Sequence, residues 1–328
     1  MAAAMSRFPA ARGLLLAVCL GLWGCAGGAA PRPAAVPPPV LTASAQTAAS
    51  PEIEAAAAGV KKAAGNDDYA CLLGAMRHVG EHLAYDASSS RDQFRRDAAT
   101  LFRQRTLDGC SDFALAELAL FRALGYPSRL VLTMNAKWLA RYRQNPLALP
   151  NGHSFIEVWV AGRWHLADPT AFVIYDGYDP NAPYLPGNEI FLTRALDFTD
   201  AGLTSVDAAN ARLRAAAEAF TGTYVNPDLP ERWKVDFNYP AAFANLGQVF
   251  LDQDRPALGV RLLRKSLALR PDYLPALLAL GSHSLEAGLP DEAAGYFRRA
   301  LAVDPHNSAA AAGLARARAK PAVGGGNG

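Results

Sequence analysis

Leu246-Gly247 recurs 34 positions later as Leu280-Gly281, and Leu314 lies another 34 along. Pro271 and Pro305 keep the same spacing, each 24 residues beyond its Leu-Gly pair. Between them, Ala293, Phe297 and Ala300 stand opposite Gly259, Leu263 and Ser266 of the preceding unit. A fixed period of this length means units that cannot bury their apolar faces alone and must stack on one another. Leu-Gly lets two helices of a unit approach closely, and the proline ends the second helix. The pattern predicts two helix–turn–helix units over about 240–307, an Ala-rich capping helix from Ser308 to Lys320, and a glycine-rich disordered tail over 321–328.

The opposite end reads as an address. Arg7 and Arg12 precede a short apolar run from Leu14 to Trp23, with no acidic residue in 1–24. The run is too short to span a bilayer, which takes about 20 apolar residues; basic residues followed by a short apolar core describe a secretory signal. Residues 25–60 are rich in Ala, Pro, Gly and Ser and predict an extended tether. Formal charge is +2, from 32 basic and 30 acidic residues. Both excess positives, Arg7 and Arg12, lie in the signal, so 30 basic face 30 acidic residues from Cys25 onward (32 minus 2 against 30 minus 0). That balance excludes the basic footprint of a nucleic-acid binder.

The middle of the chain concentrates chemistry. Tyr69, Leu72, Leu73, Met76, Val79 and Leu83 have helical spacing, with Asp67 or Asn66 as cap. A second helical stretch is predicted from about Gln93 to Arg105. Asp108-Gly109-Cys110-Ser111-Asp112 opens a third helix, closed by Gly125 and Pro127. Cys110 thus sits at a helix start, where free N–H groups and the positive end of the dipole favour a thiolate. Further on, 153–160 and 163–168 are two strands with Ala161-Gly162 as a two-residue hairpin loop. In that register Val160 faces Arg163 and Trp159 faces Trp164, so His153 and Asp168 share a face within reach of each other. A thiol, an imidazole and a carboxylate are the parts of a nucleophile, its base and the group that orients the base.

Other groups carry less. His78 and His82 are four apart on one helix, a metal-like spacing, but the H-E-x-x-H order is absent. Asp176-Gly177-Tyr178-Asp179-Pro180-Asn181 lacks the terminal Glu of a calcium loop. His165 alternates to the face opposite Asp168. Cys71 and Cys110 can pair with each other or remain free. No cofactor and no metal are expected. A helix from about Val206 to Phe220 is expected in the connecting region 201–239, where Pro227 to Trp233 either line a cleft or link domains.

These residues carry a resemblance. Gly109-Cys110-Ser111-Asp112-Phe113-Ala114, Gly125-Tyr126-Pro127-Ser128-Arg129, His153-Ser154-Phe155-Ile156-Glu157-Val158, Gly162-Arg163-Trp164 and Asp168-Pro169-Thr170 resemble the motifs of the transglutaminase-like superfamily. The resemblance implies an α+β papain-like core of helices and antiparallel sheet over 61–200, with Cys110 as nucleophile, His153 as base and Asp168 as its partner. The 34-residue units over 240–320 resemble tetratricopeptide repeats, which implies an all-α array offering a surface to a protein partner. Leu22-Trp23-Gly24-Cys25 resembles the bacterial lipobox, implying lipidation at Cys25 and anchoring in the cell envelope, at the periplasmic face of the outer rather than the inner membrane; cleavage among Ala26 to Ala30 is the competing outcome. Three departures stand out. Glycine directly precedes Cys110, Phe155 replaces a usual Trp, and no Trp upstream of Cys110 in the mature chain is available as oxyanion donor, which leaves the Cys110 N–H. The implied activity is acyl transfer from an amide of a protein or peptide, either to water, as a peptidase or amidase, or to a lysine amine. The alternative is a non-catalytic envelope scaffold acting through its repeats.

Overall fold

The structure is a computed structural model describing residues 43–86, 92–224 and 232–319. The signal, Cys25, the first part of the tether, 225–231 and the tail lie outside the described residues. A 3-10 turn (Ala45–Thr47) leads to α1 (Pro51–Ala64) and α2 (Asp68–His82). Strand β1 (Ala84–Tyr85), α3 (Ala98–Gln104), β2 (Thr106–Leu107) and α4 (Cys110–Ala123) follow. Next come β3 (Ser128–Asn135), α5 (Ala136–Gln144), β4 (Ser154–Val160), β5 (Arg163–Asp168), β6 (Val173–Asp176), β7 (Tyr184–Leu185), β8 (Glu189–Ala195), α6 (Val206–Ala219) and β9 (Arg232–Lys234). The C-terminal part is helical: α7 (Pro240–Asp252), α8 (Pro256–Leu269), α9 (Leu274–Glu286), α10 (Pro290–Val303) and α11 (Ser308–Arg318). The fold is therefore the expected mixed core with an antiparallel sheet, followed by a helical array.

Among the described residues the main sheet has seven strands in the order β7-β8-β3-β4-β5-β6-β9, with every neighbour antiparallel. α4 packs on β3 and β4 on one side and on α1, α2 and α3 on the other. Its side chains from Ser111 to Phe121 are nearly all buried, so the helix that starts at Cys110 is the axis of the core. Several of the motif residues meet across the sheet. Arg129 and Glu157 face each other across β3 and β4, and their side chains pair at 2.5 Å with Glu157 fully buried. Arg194 from β8 adds a second ion pair to Glu157 at 2.8 Å. The Arg129 guanidinium also lies 4.3 Å from the Trp164 ring centre, so three motif residues form one cluster that locks neighbouring strands.

Three segments differ from their sequence expectations. Residues 51–60, read as the end of the extended tether, are the body of α1. Ser50 caps it, accepting from the Ile53 N–H, and Pro51 stands in its first turn. Ile53, Ala56, Ala57 and Val60 are buried, an i, i+3, i+4, i+7 stripe that alanine makes too weakly apolar to notice. The second helix begins only at Ala98, capped by Asp97, because 92–95 form a turn with Phe94 at φ +68°. The connecting region, read as loop-rich after its helix, carries a strand: Ile174, Tyr175 and Asp176 of β6 pair with Lys234, Trp233 and Arg232 of β9, extending the sheet.

The repeats pack as their period predicts. A Cβ on Gly247 would come within 2.9 Å of the Leu263 side chain and 3.0 Å of the Gly259 carbonyl, so helices α7 and α8 meet where only glycine fits. The first repeat is not a separate body. Ala242, Phe243, Leu246 and Phe250 of α7 belong to the same buried cluster as Val173, Tyr175 and α4. The second repeat and α11 form their own cluster around Leu277, Phe297 and Leu314.

Candidate active site

Gly109 precedes Cys110 for a conformational and a steric reason. Its φ of +83° lies in the left-handed region, and a Cβ there would run into the Gln93 carboxamide nitrogen. The Gln93 Nε2 donates to the Asp108 carbonyl, so this amide lies against the backbone that leads into Cys110. With glycine at the N-cap no side chain caps α4, and the first-turn N–H groups beside Cys110 are not claimed by a cap. Asp112 holds the turn from below. Its carboxylate accepts from the Asp108 N–H at 2.9 Å and pairs with Arg96. Burial pushes Asp112 up to about 6, against the pull of Arg96.

The hairpin brings the other two residues to the thiol. Val160 pairs with Arg163 and Trp159 with Trp164, the register read from the two-residue loop. Ala161 at φ +50° and Gly162 at φ +80° give that loop its type I′ character. His153 Nε2 lies 2.9 Å from Asp168 Oδ1, and His153 and Cys110 line the same cavity. Its ring meets Phe155 edge-on at 4.6 Å, so phenylalanine supplies the aromatic wall where the resemblance led one to look for Trp. Asp168 Oδ1 further accepts from the N–H groups of Thr170 and Ala171, each at 3.1 Å, and from the Thr170 hydroxyl at 3.0 Å. Cys71 and Cys110 are both free.

The electrostatics favour a charged pair. Burial opposes a charge on His153, but the Asp168 carboxylate and the hydrogen bonds to Asp168 and Cys110 outweigh it, raising its pKa well above the ordinary imidazole value. Burial likewise opposes ionisation of Asp168, yet His153 and the turn donors hold its pKa below the usual carboxylate value. Sequence reasoning missed two further buried carboxyls. Glu117, fully buried two turns along α4 from Cys110, has no hydrogen-bond partner on either oxygen. Burial, with the Asp168 charge, pushes its pKa well up. Its signal was a lone acid within an otherwise apolar run. Glu189 accepts from the Thr133 hydroxyl at 2.6 Å and from Asn135 at 2.7 Å, and Thr133 in turn accepts from the His153 N–H at 3.0 Å. From the repeats, the Asn245 carboxamide donates to the Thr170 carbonyl at 2.6 Å, directly behind the Asp168 turn.

The remaining candidates lie apart from this site. His78 and His82 stack at 4.2 Å, and among the described residues no group of three or more His, Cys, Asp or Glu side chains is arranged to hold a metal. His165 is buried against Tyr69 and lies 3.8 Å from Asp176. Asp176 pairs with Arg163, and Asp179 caps its own turn at Asn181.

Residues 55–169 match the sequence model of the Transglutaminase-like superfamily. Residues 244–308 and 278–320 match that of the Tetratricopeptide repeat. No curated protein matches the chain. Among solved structures, the chain is similar to a "putative cysteine protease" from Cytophaga hutchinsonii, at 22% identity and a TM-score of 0.33, with 48% of each chain covered. The matched span includes Cys110, His153 and Asp168, and the chain thus carries a transglutaminase-like domain followed by C-terminal tetratricopeptide repeats.

Proposed function

We propose that this chain is a cysteine enzyme that forms a thioester acyl-enzyme from an amide and passes the acyl group to water, as a peptidase or amidase. The observation that carries the reading is the meeting of Cys110, at the uncapped start of α4, and the His153–Asp168 pair at one cavity. The Cys110 thiolate attacks the amide carbonyl, and the C–S bond forms as the carbonyl electrons move to oxygen. That oxyanion is met by first-turn N–H groups of α4 and by the second N–H of the Gln93 carboxamide. As the C–N bond breaks, imidazolium His153 gives its proton to the leaving nitrogen. Water then attacks the thioester, His153 takes its proton, and the thiolate departs. A lysine amine in place of water yields the crosslinked product instead.

A thiol-reactive acyl probe is expected to label Cys110 in the native chain. His153→Ala should abolish labelling, while Gln93→Ala should slow it roughly 10²–10³-fold, the usual cost of one oxyanion donor. Mass analysis of labelled protein checks this, and full labelling of the His153→Ala chain would sink the assignment.

A pH profile provides a second check. His153 is raised, so its imidazolium is fully present below the ordinary value near 6.5 and is lost only as pH rises through the higher folded value. The alkaline limb of kcat/KM is therefore expected clearly above the ordinary imidazole range. A limb at about 6.5 would contradict the arrangement.

A further inference from the structure

A cavity of about 80 Å³ opens directly beside Cys110 and His153. Its walls are Phe94, Leu132, Leu192, Leu203, Ala209 and Leu213, contributed by the turn before α3, the sheet, the loop after β8 and α6. Two hydroxyls and one guanidinium complete the lining, and two of these three groups are committed elsewhere. The Thr133 hydroxyl is held between Glu189 and the His153 backbone. Arg212 donates to the Ala201 carbonyl at 2.5 Å. Phe94 reaches this wall from a backbone at φ +68°, an uncommon conformation for a bulky residue, with its ring edge-on to Phe198 at 5.0 Å. An apolar wall held under strain beside a nucleophile is built to receive something apolar.

We infer that this pocket holds a short branched aliphatic group next to the scissile carbonyl, so that the preferred acyl donor is a valine or leucine residue of a peptide. The inference rests on the cysteine-enzyme reading above. Size supports it: a cavity of about 150 Å³ accepts benzene, so roughly half that space suits an isopropyl or isobutyl group and excludes an indole. Polarity supports it as well. A carboxamide or carboxylate entering here would leave water for walls that are mostly hydrocarbon, with only the Ser154 hydroxyl and the remaining N–H groups of Arg212 to offset the desolvation. A missing methylene in such a pocket costs about 10–200-fold in kcat/KM.

The test compares inactivation of the full chain by N-acetyl-X chloromethyl ketones, with X as Ala, Val, Leu, Gln or Asp, normalised to alkylation of Cys110 by iodoacetamide. Iodoacetamide needs only the activated thiol, so it reports on the cysteine assignment alone. Val and Leu reagents are expected to react at least tenfold faster than Ala, with Gln and Asp slower than Ala. Ala209→Leu, which fills the pocket, should reverse the order of Ala and Leu. Leu213→Ala, which deepens it, should bring a Phe reagent up to the rate of Leu. Normal alkylation with a flat series, or with Gln or Asp fastest, overturns the pocket assignment and leaves the cysteine enzyme standing. Absence of selective alkylation at Cys110 overturns both.

Discussion

Asp168→Asn is expected to lower the rate of acyl-enzyme formation by up to about 10⁴ while the chain stays folded, as exchanging an orienting carboxylate for an amide does in comparable triads. Asp168 Oδ1 gathers four donors: His153 Nε2, the Thr170 N–H and hydroxyl, and the Ala171 N–H. An asparagine oxygen can keep these bonds, so the turn survives. What it cannot keep is the charge. Burial already disfavours an imidazolium at His153, and without the carboxylate beside it the balance tips toward the neutral ring. The thiolate then loses its cation and the leaving nitrogen its proton donor. Glu117 does not substitute, because burial disfavours its charge and neither of its oxygens has a donor. Single-turnover acylation with an amide substrate, alongside a thermal melt, measures both halves. The alkaline limb of the residual activity should also move down. Retention of activity within tenfold of the native chain would count against Asp168 as the orienting group.

Ending the chain at residue 238 is expected to abolish folding of the transglutaminase-like domain, whereas ending it after Arg270 leaves the domain folded and Cys110 reactive. The reason is where α7 packs. Phe243, Leu246 and Phe250 are buried in the core shared with β6 and α4, and each contributes about 1.5–3 kcal/mol on burial. Together they rival the whole stability of an ordinary domain, about 5–15 kcal/mol. Removing α7 also strips the Asn245 amide from the Thr170 carbonyl, immediately behind Asp168. The second repeat and α11 bury a different cluster, around Leu277 and Phe297, so their loss exposes the face of α8 without opening the main core. Circular dichroism melts and probe labelling of the two truncations decide the matter. A soluble chain ending at 238 that still labels at Cys110 would show that the first repeat is an appendage.

Much of the site was legible because it depends on short-range rules. Two residues between strands leave one register, and that register alone placed His153 and Asp168 together. Glycine and proline at helix ends placed Cys110 at the start of α4, and the 34-residue recurrence set out the repeats. α1 was missed because alanines at 56 and 57 bury a stripe too weakly apolar to stand out within an Ala-rich tract. The turn around Gln93 and Phe94 was missed because neither residue type announces a left-handed backbone.

Residue type, spacing and chain punctuation were enough to place Cys110 at a helix start, to bring His153 and Asp168 together and to set the repeat period, since each follows from bonds and contacts within a hairpin, a helix end or one unit. Convergence of distant segments settled the rest. Gln93 lies against Gly109, Glu117 is sealed beside Asp168, leucines from three elements wall the pocket, and Asn245 reaches from the repeats to the Thr170 carbonyl. Such contacts depend on how elements pack around a shared core, and no local pattern encodes which buried face will meet which.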